Sequence, residues 1–133
     1  MPTPTLSEVL AEYGRDAYLL TIGKSSKQAD APASPHTSHV TVDLRGAIIG
    51  CAISESAVRN IADEPHVPLL WPPREPGGYS LIVNGVARTS RLTNGTPVAE
   101  ISLTKSVFHR PGPRGPESDG PCTSDCKQII WQA

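Results

Sequence analysis

A chain of 133 residues holds one domain with a real core and is too short for two independent ones. Twelve basic and thirteen acidic side chains leave a formal net charge of -1, which excludes a general field drawing the protein to nucleic acid or to an anionic membrane. Three cysteines are an odd set and poor material for the disulfide framework of a small secreted domain.

The N-terminal "MPTPTLSEVLAEYG" lacks the basic start and apolar run of a signal peptide, and no later stretch reaches the length of a membrane span; a cytoplasmic protein is expected. Thr5 and Glu8 have the spacing of a capping box. Leu6, Val9, Leu10 and Tyr13 follow at helical intervals, which predicts a first helix ending at Gly14. "AYLLTIG" reads as the first strand. "KSSKQADAPASP" reads as a polar connection.

"PHTSHVTVDLRGAIIGCAIS" reads as a hairpin turning at Arg45 and Gly46. Val40, Val42 and Leu44 share one face, while His39, Thr41 and Asp43 share the other. The period then lengthens to that of a helix over 55–63, with Ser54 as its N-cap and Pro65 beyond its end. "HVPLLW" is the fourth strand and "PPREPGG" a stiff loop. The fifth strand, "YSLIVNGVARTSRL", contains Gly85, which predicts a bulge as the sheet curls. "PVAEISLTKSVFH" is the sixth. From Arg110 the chain is rich in Pro, Gly and polar residues, so 1–109 is read as the folded domain and 110–133 as an extended tail. The closing "QIIW" could dock on the body or on a partner. The expected architecture is mainly β: six strands closed into a small barrel, with an N-terminal helix and one short helix between strands three and four.

Several side chains invite a chemical reading. Arg59 and Asn60 sit on the polar face of the short helix. The ordinary reading is a solvated surface, and the sharper one is an anion site, since a helix N-terminus offers unpaired N–H groups and a guanidinium is a bidentate donor. Ser38, His39 and Thr41 are polar groups on the second strand, either the wet side of a half-buried hairpin or contacts to a ligand; an imidazole there could hold a carbonyl or pass a proton. His36, His66 and His109 are scattered, and no metal site is expected. Cys122 and Cys126 form a C-x3-C pair, a weak metal signal on its own. Two idle thiols are the simplest reading and a reversible disulfide the alternative. Trp71 and Trp131 read as packing residues.

With the elements in this order, "PHTSHVTVDL", "SAVRNIADEPHVPLLW" and "YSLIVNGVAR" together resemble the split-barrel flavin-binding superfamily, which includes pyridoxamine 5'-phosphate oxidase and the actinobacterial flavin- and deazaflavin-dependent oxidoreductases. The resemblance spans roughly residues 6–109. It implies an FMN-binding split barrel and a homodimer with FMN or the deazaflavin F420 between the subunits. The ring would lie along strands two and three, and the phosphate near the short helix. Carried onto this chain, the contacts to the cofactor fall on Ser38, His39, Val40, Thr41, Ser54, Arg59 and Asn60, and His39 is the candidate to assist catalysis. Ala57 stands where that pattern is often basic, and "CKQIIWQA" lacks the basic C-terminal motif of true pyridoxamine phosphate oxidases. The implied activity is hydride transfer to or from a small organic substrate. The alternative is a non-catalytic carrier of flavin, haem or lipid on the same scaffold.

Overall fold

The computed structural model describes residues 4–24, 33–120 and 124–129. Helix α1 (Leu6–Tyr13) starts on Thr5, whose hydroxyl accepts the Glu8 N–H at 3.2 Å. It stops at Gly14, which takes φ +86° and donates its N–H to Leu10. Seven antiparallel strands follow: β1 (Asp16–Lys24), β2 (Ala33–Arg45), β3 (Ile48–Ala52), β4 (His66–Trp71), β5 (Ser80–Arg91), β6 (Pro97–Arg110) and β7 (Asp125–Gln128). Helix α2 (Glu55–Asp63) lies between β3 and β4. The Ser54 hydroxyl accepts the Ala57 N–H at its start.

Neighbouring strands run in the order β3-β2-β1-β4-β5-β6-β7, and β3 also pairs with β6, from Ile48↔Ser102 to Ala52↔Val98. That second pairing closes six strands into the expected barrel. Alternate residues point inward, so Leu19, Val42, Ile49, Leu69, Leu81 and Ile101 fill the interior, all essentially without exposure. Leu6 and Val9 pack into this core from α1, and Ala57 and Ile61 from α2. Trp71 is 1% exposed, and its indole N–H reaches the Gly14 carbonyl at 3.0 Å, tying the end of α1 to β4. It is a packing residue, as expected; Trp131 lies outside the described residues.

Gly85 is where β5 bends. The β5–β6 register shifts between Asn84 and Gly85, and a Cβ there would stand 2.5 Å from the Ile101 side chain and 2.5 Å from the Ser102 carbonyl oxygen. No side chain fits.

Two expectations are corrected. β2 begins at Ala33, inside the stretch read as a connection, because residues 33–37 pair with β1 from Lys24 back to Leu20. The tail is not wholly extended: β7 pairs with β6, from Val107↔Gln128 to Arg110↔Asp125, and Ile129 is buried in the core. Four residues form that strand, too few to show a period in a segment dominated by Pro and Gly.

Gly85→Ala forces a methyl against backbone and is expected to destabilise the fold by roughly 1–3 kcal/mol, the usual cost of overpacking. Urea unfolding against the parent measures it, and an unchanged midpoint would show that β5 tolerates a Cβ at its bend.

Candidate functional site

The barrel closes unevenly, and the predicted residues of β2 lie along the gap. β1 pairs with β2 along 33–41, but β3 covers only 42–45 on its other side. In an antiparallel pair, alternate residues turn both N–H and C=O to one neighbour. The Val42 N–H bonds the Arg15 carbonyl, so the even-numbered residues of β2 face β1. The odd-numbered residues present their backbone groups to the opposite edge. From Thr37 through His39 to Thr41, no strand among the described residues pairs with that edge.

The strand pleat divides the predicted β2 residues. Val40 is buried in the barrel and Ser38 lies half-buried opposite Leu19, so both side chains point inward. His39 and Thr41 point outward. His39 sits edge-on to Tyr18, with 5.7 Å between ring centres, and the Thr41 hydroxyl donates to Asp16 at 3.1 Å. The outer face continues as a row across the sheet, His39 beside Tyr18, then Leu70, then Ile82. Tyr18 is 40% and Leu70 38% exposed.

Helix α2 separates Arg59 from Asn60. Asn60 faces the barrel and its amide donates to the hydroxyl of Thr21 at 3.0 Å; Thr21 is 1% exposed on β1. A side chain at Gly23 would collide with that amide, at 2.4 Å from its oxygen. Asn60 therefore fastens α2 to β1. Arg59 is exposed, and its guanidinium donates to Ser56 Oγ one turn back at 3.1 Å. The Ser54 hydroxyl caps the helix. Ala57 is fully buried, which accounts for a methyl at a position that is often basic: a long cation there would enter the core. Glu55 turns away to a two-pronged pair with Arg91 at 2.6 and 2.9 Å, and those hydrogen bonds hold its carboxyl below the usual range.

A second polar cluster escaped the sequence reading because its members lie far apart along the chain. Asp125 on β7 is 5% exposed and accepts from Arg110 Nε at 2.8 Å, from Ser118 Oγ at 2.7 Å and from the Tyr79 hydroxyl at 3.1 Å. The Arg110 guanidinium also lies over the Tyr79 ring, 4.3 Å from its centre. The Ser118 hydrogen bond, followed by those from Arg110, lowers the Asp125 carboxyl, while burial and then the carboxylate push the Tyr79 phenol up. A cleft of about 400 Å³ adjoins the cluster, with Tyr13, Tyr79 and Phe108 among its walls. Arg110 and Lys127 line it, each countered by an acid, Asp125 and Glu117. The cluster clasps β7 to the barrel.

Cys51 is a free, buried thiol pushed up to about 11 by burial, hence unreactive. Cys126 is disulfide-bonded, which corrects its reading as an idle thiol; Cys122 lies outside the described residues. Among the described residues no group of three or more His, Cys, Asp or Glu side chains could hold a metal ion, and no helix is long and apolar enough to cross a membrane.

No family model matches the chain. It is 29% identical over 116 residues to uncharacterised proteins of Mycobacterium bovis and Mycobacterium tuberculosis, a match covering 83% of this chain and 82% of each relative. Among solved structures it superposes on a putative pyridoxamine 5'-phosphate oxidase from Listeria innocua, with TM-score 0.58, 17% identity and coverage of 77% of this chain and 95% of that one. General stress protein 26 from Bacillus anthracis gives 0.56 at 14% identity, covering 77% of this chain and 92% of the other. A haem-binding protein from Mycobacterium smegmatis gives 0.53 at 16%, covering 74% and 50% respectively. The fold is the split barrel of these structures, as the sequence resemblance implied.

Removing the Asn60 amide strands a buried hydroxyl, so Asn60→Ala is expected to cost about 1–3 kcal/mol in a denaturant titration; no loss would mean that water replaces the bond. Asp125 has a folded pKa below its ordinary value of 3.8. Such a group adds stability above the unfolded pKa and loses that contribution as pH falls through the folded one. Asp125→Asn should therefore be less stable than the parent at neutral pH, and the gap should shrink as an acid titration passes below about pH 4. A gap that stays constant with pH would remove the charge from the explanation.

Proposed function

We propose that this protein is an oxidoreductase that binds FMN or the deazaflavin F420 and transfers hydride to or from a small organic substrate. The observation that carries the reading is the half-paired β2: at Thr37, His39 and Thr41, backbone donors and acceptors face away from β1 with no strand among the described residues to receive them. A flavin or deazaflavin ring has acceptors and donors along one edge that match such a row. When bound, the cofactor supplies the hydride chemistry and the chain supplies position and shielding.

Within that reading Arg59 is the anion-binding group. Its guanidinium is exposed and donates to the Ser56 hydroxyl on its own helix, a single neutral hydrogen bond, so reaching a phosphate costs it little. The pairing of Glu55 with Arg91 keeps the acidic charge at the helix start engaged elsewhere. Ser54 and Asn60 support α2, and Ser38 and Val40 support β2 from within the barrel. His39 is the group beside the ring that could hold a substrate carbonyl.

A homodimer belongs to the same proposal. The outer-face row of Tyr18, Leu70 and Ile82 is apolar and next to the open edge, so a second copy seated there would cover both. The haem-binding neighbour supports a second reading, a carrier without turnover on the same barrel.

The absorbance and mass of whatever co-purifies distinguish flavin, deazaflavin and haem directly. Arg59→Ala is expected to weaken FMN or F420 binding by about 1.5–3 kcal/mol, the worth of a hydrogen bond to a charged group, measured by titration of cofactor fluorescence. Unchanged affinity would refute the anchor. If neither cofactor binds the parent at micromolar concentration, the oxidoreductase reading falls.

A further inference from the structure

We propose that Asn94 is a modification site, at which the side-chain amide is lost through attack by the Gly95 nitrogen and addition of water. It is independent of the cofactor reading. The chain holds two Asn-Gly pairs, Asn84–Gly85 and Asn94–Gly95, and a following residue without a Cβ is the least hindered place for a backbone nitrogen to reach a side-chain carbon. The fold decides between the two.

Asn94 stands exposed in the turn between β5 and β6, and a Cβ built on Gly95 would meet nothing within 4 Å. Its side-chain oxygen accepts the Thr96 N–H at 3.0 Å. That oxygen gains negative charge when the Gly95 nitrogen adds to Asn94 Cγ, so a backbone donor already stands where the charge develops. The Gly95 N–H must first leave the Leu92 carbonyl, a single 2.9 Å bond between exposed residues, and such local openings cost little. The nitrogen then gives its proton to water and bonds to Cγ. The Cγ–Nδ2 bond breaks, and ammonia leaves with a proton returned by water. A second water opens the succinimide ring at either carbonyl and gives aspartate or isoaspartate. Either product adds a negative charge to the turn whose Gly95 carbonyl accepts from Arg91 at 3.1 Å, the residue that also pairs with Glu55 at the start of α2.

Asn84 is held against the same reaction. It pairs with Pro68 of β4 and with Lys105 of β6, and its carbonyl accepts the Thr104 hydroxyl at 3.2 Å. Ring closure would turn the Asn84–Gly85 peptide out of its ladders, and the Ile101 side chain and the Ser102 carbonyl leave Gly85 no room for that turn.

The test incubates the folded full-length protein in mildly alkaline buffer, digests it briefly with trypsin and reads deamidation by peptide mass spectrometry against an unincubated control. Trypsin puts the two sites in separate peptides, residues 75–88 and 92–105. The 92–105 peptide should convert on the order of tenfold faster than the 75–88 peptide or more, because only the turn lets the reacting atoms meet. In urea the two rates should converge. Equal rates in the folded protein, a faster Asn84 or no conversion at either site overturns the proposal, as does a difference that persists in urea, since it would then belong to the sequence and not to the fold. Asn94→Gln should remove the acidic species that isoelectric focusing shows in the incubated parent, and its survival would also overturn the assignment.

Discussion

The pairing of β3 with β6 is the constraint on which the rest of the molecule depends. Five residues, Ile48–Ala52, bond β2 on one side and β6 on the other, and this short bridge turns an open meander into a closed barrel. Closure gives each of the six strands a neighbour on both sides over part of its length and gives Ile49 and Cys51 an interior to fill. Because the bridge is so much shorter than the strands it joins, it leaves most of β2 with one neighbour. The same pairing that stabilises the barrel thus leaves an open backbone edge on β2 among the described residues.

The elements around that edge divide their polar groups by function. Two are consumed by the fold: the inward-facing Asn60 on Thr21 and the exposed Ser54 on the helix start. Those facing outward are exposed, Arg59 donating to a hydroxyl on its own helix, and His39 set against the edge of the Tyr18 ring with the Asp16 carboxylate 3.8 Å from its Nε2. Adjacent residues on α2 and on β2 meet opposite environments, because the helix turns about 100° per residue and the strand about 180°. The β7 clasp follows a different rule. There a nearly buried carboxylate is acceptable because a guanidinium and two hydroxyls satisfy it.

Much of the architecture was legible from local pattern. The Thr5 and Ser54 caps, the hairpin turn, which falls at Gly46–Ala47 and so one residue beyond the Arg45–Gly46 read for it, and the inward alternation of Val40 and Val42 are set by residues near one another in sequence. The bend at Gly85 was legible too, since a glycine inside an apolar strand has few other uses. β7 and the Asp125 cluster were not. Their partners Tyr79 and Arg110 lie 46 and 15 residues away, and no period or motif links them.

The sequence by itself determined the order of the two helices and the first six strands and the faces that go inside, because amphipathic spacing and capping are short-range physics. Only the tertiary structure decided which of two adjacent polar residues faces the core, that β2 is paired along one side, and that a seventh strand brings Cys126 against His109. These depend on which distant strands meet and in what register, and that is settled by packing the whole barrel at once.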